Sequence, residues 1–323
     1  MKLYLHLCIA ILLTVTLNAC EAQPQRELYN VLLGQDQQSP LLLASKSTTS
    51  HQATCYFNET VFCTPQDFSC TTDSVKIISV VPFEETIIIT FAEALSAGQR
   101  VEIEGRVRDV VGNTLTFKVG VWGFNERIPT LLINEFTTKG SGKNPDRIEL
   151  WAKTEGNLAG VTIYDGVAST YDSQCILPSF EVSAGDYIVI QYGKDFSQEH
   201  SIEFDGGSVG LGANNGVISL YDAPNGSIID AVVYSNRTSD SDTNYGGFGT
   251  NKVCQRVRTL ESTGNWEPLP IIPETAVDST YSTATRSFCR EKGVDTNTKN
   301  DWYIVPTSKA SFGKVNTSER YAP

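Results

Sequence analysis

Between residues 129 and 235 the chain is written as short alternating strands separated by turn residues, and this pattern points to a β-sheet fold. Leu131-Leu132-Ile133-Asn134-Glu135-Phe136 opens the series. Asp146-Arg147-Ile148-Glu149-Leu150-Trp151, then Leu158 to Ile163, then Ile218-Ser219-Leu220-Tyr221-Asp222 continue it. Val182 to Ile190 reads as a turn followed by an apolar strand, and Leu211 to Gly216 leads into another. Asn225-Gly226 is expected as a type I′ hairpin turn, because both central positions of that turn need positive φ. Ile228 to Tyr234 completes the hairpin. Asp301-Trp302-Tyr303-Ile304-Val305 supplies a last strand, followed by Ser311 to Asn316.

This order and spacing resemble the lamin tail domain, an Ig-like β-sandwich. The resemblance covers residues 129–318 and implies an all-β fold that binds or anchors rather than catalyses. Asn134 and Glu135 are that family's hallmark pair, and the resemblance implies a strand end that satisfies neighbouring backbone groups; Glu149 is expected to serve the sandwich in the same way. There are departures. Arg147 stands where an aromatic is usual, Ala152 where Asn is common, and Phe312 where Pro is usual. An insertion of roughly 60 residues, 236–300, precedes the last strand. These leave the fold intact and weaken the case for a shared ligand.

Residues 74–127 form a second, smaller β unit. Lys76 to Val81 and Thr86 to Phe91 are β-branched runs, Val101 to Glu104 alternates with period two, and Asp109 to Thr116 places turn residues between strands. The Ile-Thr-Phe-x-Glu-x-Leu string and the Asp-x-x-Gly-Asn turn resemble a small bacterial Ig-like domain. A unit this small has a thin core and is expected to rest on its neighbour. Residues 125–129 read as the linker.

The N-terminus reads as an export signal over 1–19: Lys2, an apolar run from Leu3 to Leu17, then Leu17-Asn18-Ala19-Cys20. The Leu-x-Ala-Cys ending resembles a bacterial lipobox. That resemblance implies cleavage before Cys20, acylation of its thiol, and a membrane partner held through lipid in the cell envelope, on the outer membrane or cell surface. Acyl chains on one residue can hold a soluble domain on a bilayer. Residues 20–50, rich in Gln, Ser and Thr, are expected as a flexible tether. Four Asn-x-Ser/Thr sequons, at Asn58, Asn225, Asn236 and Asn316, are incidental in such a chain.

The net charge of −12 becomes −13 once Lys2 leaves with the signal. That balance disfavours nucleic acid as a partner, since phosphate binding needs cationic surface. Six cysteines remain after Cys8 and Cys20: Cys55, Cys63, Cys70, Cys175, Cys254 and Cys289. An even number in an exported chain favours disulfides. Bonds are expected within Cys55/Cys63/Cys70, in a separate compact segment 51–73, and within Cys175/Cys254/Cys289. Each group has three members, so one is left over or pairs across. Cys254–Cys289 is the favoured bond, because Cys254-Gln255-Arg256 with Trp266 echoes Cys289-Arg290 with Trp302, as if two strand-loop-Trp units lay side by side.

No nucleophile–base set, G-x-S-x-G elbow, P-loop or H-E-x-x-H is present, so neither an enzyme nor a cofactor is expected. His51 and His200 are the only histidines beyond the signal. Asp240, Asp242 and Asn244, and Asp295, Asn297 and Asp301, space oxygen ligands as a wrapped calcium ion requires; Lys299 takes an inward position in the second loop, so solvated turns are the favoured reading and no metal is expected. Gly246, Gly247 and Gly249 read as turns with no helix behind them. Tyr245, Phe248, Trp266 and Tyr281 in the insertion are candidates for a binding face, against packing of the insertion onto the sandwich. The favoured function is a surface module whose insertion loops contact a protein or a glycan. The alternatives are a structural spacer or assembly component of an envelope complex, or a non-catalytic accessory to an envelope hydrolase.

Overall fold

The computed structural model describes residues 36–72, 74–238 and 243–323. The expected signal peptide, Cys20, the first part of the tether, Asp240 and Asp242 lie outside these residues.

Strands β1 (Leu42–Thr49), β2 (Gln52–Phe57), β3 (Phe68–Cys70), β4 (Ile77–Phe83), β5 (Thr86–Phe91), β6 (Arg100–Arg108) and β7 (Thr114–Trp122) make the first unit. They form two sheets, β1-β2-β5-β4 and β3-β6-β7. Burial alternates along β5 and β6, so Ile87, Ile89 and Phe91 meet Val101, Ile103 and Val107 in one core. Two expected boundaries change. The tether gives way to β1 at Leu42, and segment 51–73 is not a separate piece but supplies β2 and β3. The reason is core supply: residues 74–127 hold only β4 to β7, and Ala53, Cys55, Phe57, Val61 and Phe68 complete the apolar interior.

The second unit contains β8 (Leu131–Thr137), β9 (Asp146–Ala152), β10 (Gly156–Asn157), β11 (Thr162–Val167), β12 (Thr170–Ile176), β13 (Glu181–Val182), β14 (Tyr187–Tyr192), β15 (Glu203–Gly207), β16 (Gly216–Tyr221), β17 (Ile228–Ser235), β18 (Val277–Asp278), β19 (Phe288–Arg290) and β20 (Trp302–Ile304). A six-stranded sheet, β15-β14-β9-β8-β19-β20, shares a core with a five-stranded sheet, β12-β11-β16-β17-β18, while β10 and β13 pair apart. The fold is all-β and of sandwich type. The two units meet at the linker, where the Asn125 side chain donates to the carbonyls of Asn157 (2.8 Å) and Ala159 (2.9 Å).

The insertion carries the only α-helix among the described residues, α1 (Asn251–Glu261). Thr250 caps it by accepting the Val253 N–H. Val253, Val257 and Leu260 fall on one face and pack, with Phe248 and Trp266, against the outside of the five-stranded sheet. That sheet is therefore covered on both faces, and every residue of β16 is buried. Three expectations change here. Cys254 lies in a helix rather than a strand, so the echo with Cys289 is not structural. A helix does begin behind Gly246, Gly247 and Gly249. Phe248 and Trp266 are 3% and 1% exposed, so the four insertion aromatics do not form one face; only Tyr245 and Tyr281 stand out into solvent.

The hairpin turn also differs from expectation. Gly226 N–H donates to Ala223 O, and Asn225, at φ 58°, is the central residue with positive φ. Pro224 before a left-handed Asn225 is the type II arrangement, not type I′.

Candidate functional site

The six-stranded sheet has a buried polar outer face, covered by the irregular segment after Val305. The cause is in the strands. Glu135 on β8 and Glu149 on β9 are direct cross-strand partners, and both point away from the apolar core. Glu135 accepts the Ser311 N–H (2.9 Å) and the hydroxyls of Ser311 (2.8 Å) and Ser287. Glu149 accepts Asn134 Nδ2 (2.6 Å) and the Gly313 N–H. Asn316 completes the lattice, exchanging hydrogen bonds with the Asn134 side chain and donating to Arg290 O (2.9 Å). Burial pushes both carboxyls up, and the neighbouring Glu135 raises Glu149 further, well above the ordinary range. Asn134, Glu135 and Glu149 thus hold the C-terminal segment onto the sheet.

Inside the sandwich, Arg290 on β19 donates to Asp230 on β17 (2.6 Å), to Asp295 (3.0 Å) and to Ile133 O (2.7 Å). Its guanidinium lies 4.7 Å from the Trp302 ring centre. Burial raises Asp230 to about 6, with Arg290 pulling the other way. The calcium reading of the 295–301 loop meets this guanidinium: Asp295 pairs with it, and Asp301 is spent on the Thr296 hydroxyl (2.6 Å) and N–H (2.8 Å). Asn297 takes a left-handed φ of 55°. Asn244 gives its carbonyl to the N–H groups of Gly247 and Gly249. Among the described residues, the one group of acidic side chains that converges is elsewhere, at Asp36, Glu59 and Asp109, and Asp109 there spends itself on the N–H groups of Val111, Gly112 and Asn113.

The six described cysteines are free thiols, which corrects the expected disulfide framework. The favoured Cys254–Cys289 bond is excluded by layering: Cys254 rides on α1 outside the five-stranded sheet, whereas Cys289 lies near Ser311 on the outer face of the other sheet (3.8 Å). Cys175 reaches the Asp205 carbonyl instead (3.7 Å). Burial pushes Cys55 and Cys175 up to about 12 and Cys63 to about 11.

Two adjoining cavities meet at Tyr303 on β20, at the edge of the six-stranded sheet. The first, 390 Å³, is lined by Tyr281, Trp302, Tyr303 and Tyr321 with Arg237, Asp278, Lys299 and Asn300. The second, 240 Å³, is lined by Trp151, Tyr187 and Tyr303 with Asn134, Glu291, Lys292, Asn316 and Arg320. Trp151 and Tyr187 are cross-strand partners. Tyr281 and Tyr321 lie 5.7 Å apart, and Arg320 stacks over Tyr303 at 4.6 Å. Of the insertion aromatics, Tyr281 alone lines this groove. The others in it were not singled out from sequence, because the groove draws on eight separate stretches of chain; the Trp302-Tyr303 pair of the last strand was its one local mark.

No helix among the described residues is long and apolar enough to cross a membrane. No curated protein matches the chain. Among solved structures, the N-terminal part of the bacterial S-layer protein SbsC is similar at 14% identity with a TM-score of 0.26, over 66% of this chain and 47% of that one. The S-layer protein rSbsC(31-844) is similar at 13% identity, also at 0.26, over 66% and 42%. An L,D-transpeptidase from Mycobacterium smegmatis is similar at 9% identity with a TM-score of 0.17, over 61% and 99%. The chain spans less than half the length of these S-layer structures. The family described as "protein second domain" (TP_1001_2nd) matches residues 129–206 and 204–304. With more than half of its length matched, the chain belongs to the TP_1001_2nd family.

Proposed function

We propose a non-catalytic, lipid-anchored envelope protein whose lamin-tail-like sandwich presents a binding surface at the Tyr303 groove. The observation that supports this is the groove itself: Trp151, Tyr187 and Tyr303 on strands, joined by Tyr281 and Tyr321 and by hydrogen-bonding side chains of the insertion and the C-terminal segment. The surface is therefore built jointly by the sandwich edge, by insertion residues such as Arg237, Tyr281 and Lys299, and by the C-terminal segment. The groove takes a protein or a glycan of the envelope. The test compares the full chain with Tyr281→Ala/Tyr321→Ala in capture from envelope extract and on a glycan array. Ligands retained by the double variant at wild-type level would defeat the reading.

A second reading is favoured by a different observation, the burial of Phe248 and Trp266 under α1. It makes the two units a spacer in an envelope assembly. In that case removal of the groove tyrosines changes no partner, while disruption of the contact at Asn125 does.

A further inference from the structure

We infer that the Tyr303 groove takes an acidic glycan, a sugar chain carrying carboxylate or phosphate; this rests on the reading of the groove as a binding surface. The first support is charge. The chain carries −12, yet the two cavities are lined by four cationic side chains against two carboxylates. Two of these cations are paired within the groove, Arg237 with Asp278 (3.3 Å) and Arg320 with Glu291. Lys299 instead donates to the Glu274 carbonyl, a neutral partner that holds the cation in place without cancelling its charge, and a cleft focuses the field of such a group.

The second support is shape and polarity. Tyr281 is 44% exposed, and its ring offers a flat apolar face of the kind that stacks on the C–H face of a pyranose, while Arg286 lies over the Tyr321 ring at 4.0 Å. Asn300 beside them both donates and accepts, as sugar hydroxyls require. A cavity of 390 Å³ lies within the range of small-ligand sites.

The experiment is titration of the full chain with four oligosaccharides and one peptide. The probes are a galacturonate hexamer, its methyl ester, a phosphomannan oligomer, its dephosphorylated form, and a glutamate decapeptide. At least one acidic sugar is expected to bind, its neutral counterpart about tenfold more weakly, and the affinity to fall as salt rises from about 50 to about 200 mM. Which acidic sugar binds separates carboxylate from phosphate recognition. Tyr281→Ala and Lys299→Gln are each expected to weaken binding about tenfold. Tyr245→Ala, outside the groove, leaves it unchanged, with melting midpoints confirming that all three variants fold. Equal binding of acidic and neutral sugars, equal binding of the decapeptide, or indifference to Tyr281→Ala overturns the inference. If every sugar fails while Tyr281→Ala/Tyr321→Ala still abolishes capture of an envelope protein, the groove stands and the glycan falls. If neither readout depends on these tyrosines, both fall.

Discussion

Glu135 and Glu149 face each other across β8 and β9 with neither side chain exposed, and each is closed over by the C-terminal segment, Glu135 through Ser311 and Glu149 through Gly313. Like charges set directly opposite on a sheet repel. Burial and the neighbouring Glu135 push Glu149 well above the ordinary range, which favours its neutral form and eases that repulsion.

That arrangement fixes a pH dependence. Both carboxyls are raised in the folded state. The stability they contribute is complete below the ordinary Glu range near pH ~4.3 and is lost as pH rises through their higher folded values. Asp165, pushed up to about 6 by burial, acts in the same direction. The melting temperature is expected to fall as pH rises from the ordinary carboxylate range, near ~4, through the raised folded values of these groups, and to fall less in Glu149→Gln. Parallel curves for the two proteins would show that this pair does not titrate as the geometry demands.

Arg290 and Asp230 are 2% and 1% exposed. Arg290→Met leaves the Asp230 carboxylate buried without its partner and should cost about 3–5 kcal/mol in urea unfolding of the second unit. Adding Asp230→Asn removes the stranded charge and is expected to recover part of that loss. A double variant no more stable than the single one would mean that the pair is not what the substitution broke.

Trp266 packs under the insertion and gives its indole N–H to the Thr275 carbonyl (3.1 Å). Trp266→Ala should cost about 3–5 kcal/mol, as large-to-small changes in a close-packed site do. Tyr245→Ala, in solvent, should change stability by less than about 0.5 kcal/mol. Similar midpoints for the two variants would put Trp266 outside the core.

The thiols give a covalent check. Cys55, Cys175, Cys254 and Cys289 are buried, while Cys63 and Cys70 are half-buried. Alkylation of the native protein is expected to reach Cys63 and Cys70 before the others, with the buried four reacting only after unfolding. Non-reducing peptide mapping that recovered a Cys254–Cys289 bond would contradict the layering of helix and sheets.

Lipid attachment is tested independently of the fold. A labelled fatty acid fed to expressing cells is expected to mark the wild type and not Cys20→Ser. Equal label on both would remove the lipid anchor from the proposal.

Local sequence determined the strands: the alternating runs in 76–91, 131–151 and 218–234 became β4, β5, β8, β9, β16 and β17, because a period of two leaves a strand one dry face whatever surrounds it. The Asn134-Glu135 pair was also legible, since a carboxylate placed mid-strand must find donors. Tertiary structure decided the rest. Residues 251–261 become a helix because Val253, Val257 and Leu260 have a sheet to cover, and Cys254 goes with them, away from Cys289. The cysteine-bearing stretch 51–73 joins the first sandwich because residues 74–127 cannot close a core alone. The groove at Tyr303 exists only once β9, β14, β20, the insertion and the C-terminal segment converge, and no periodicity along the chain can announce neighbours that far apart. The partner of Arg290 was hidden for the same reason: a buried cation is stable only beside an acceptor that the fold brings to it, here Asp230, 60 residues earlier in the chain.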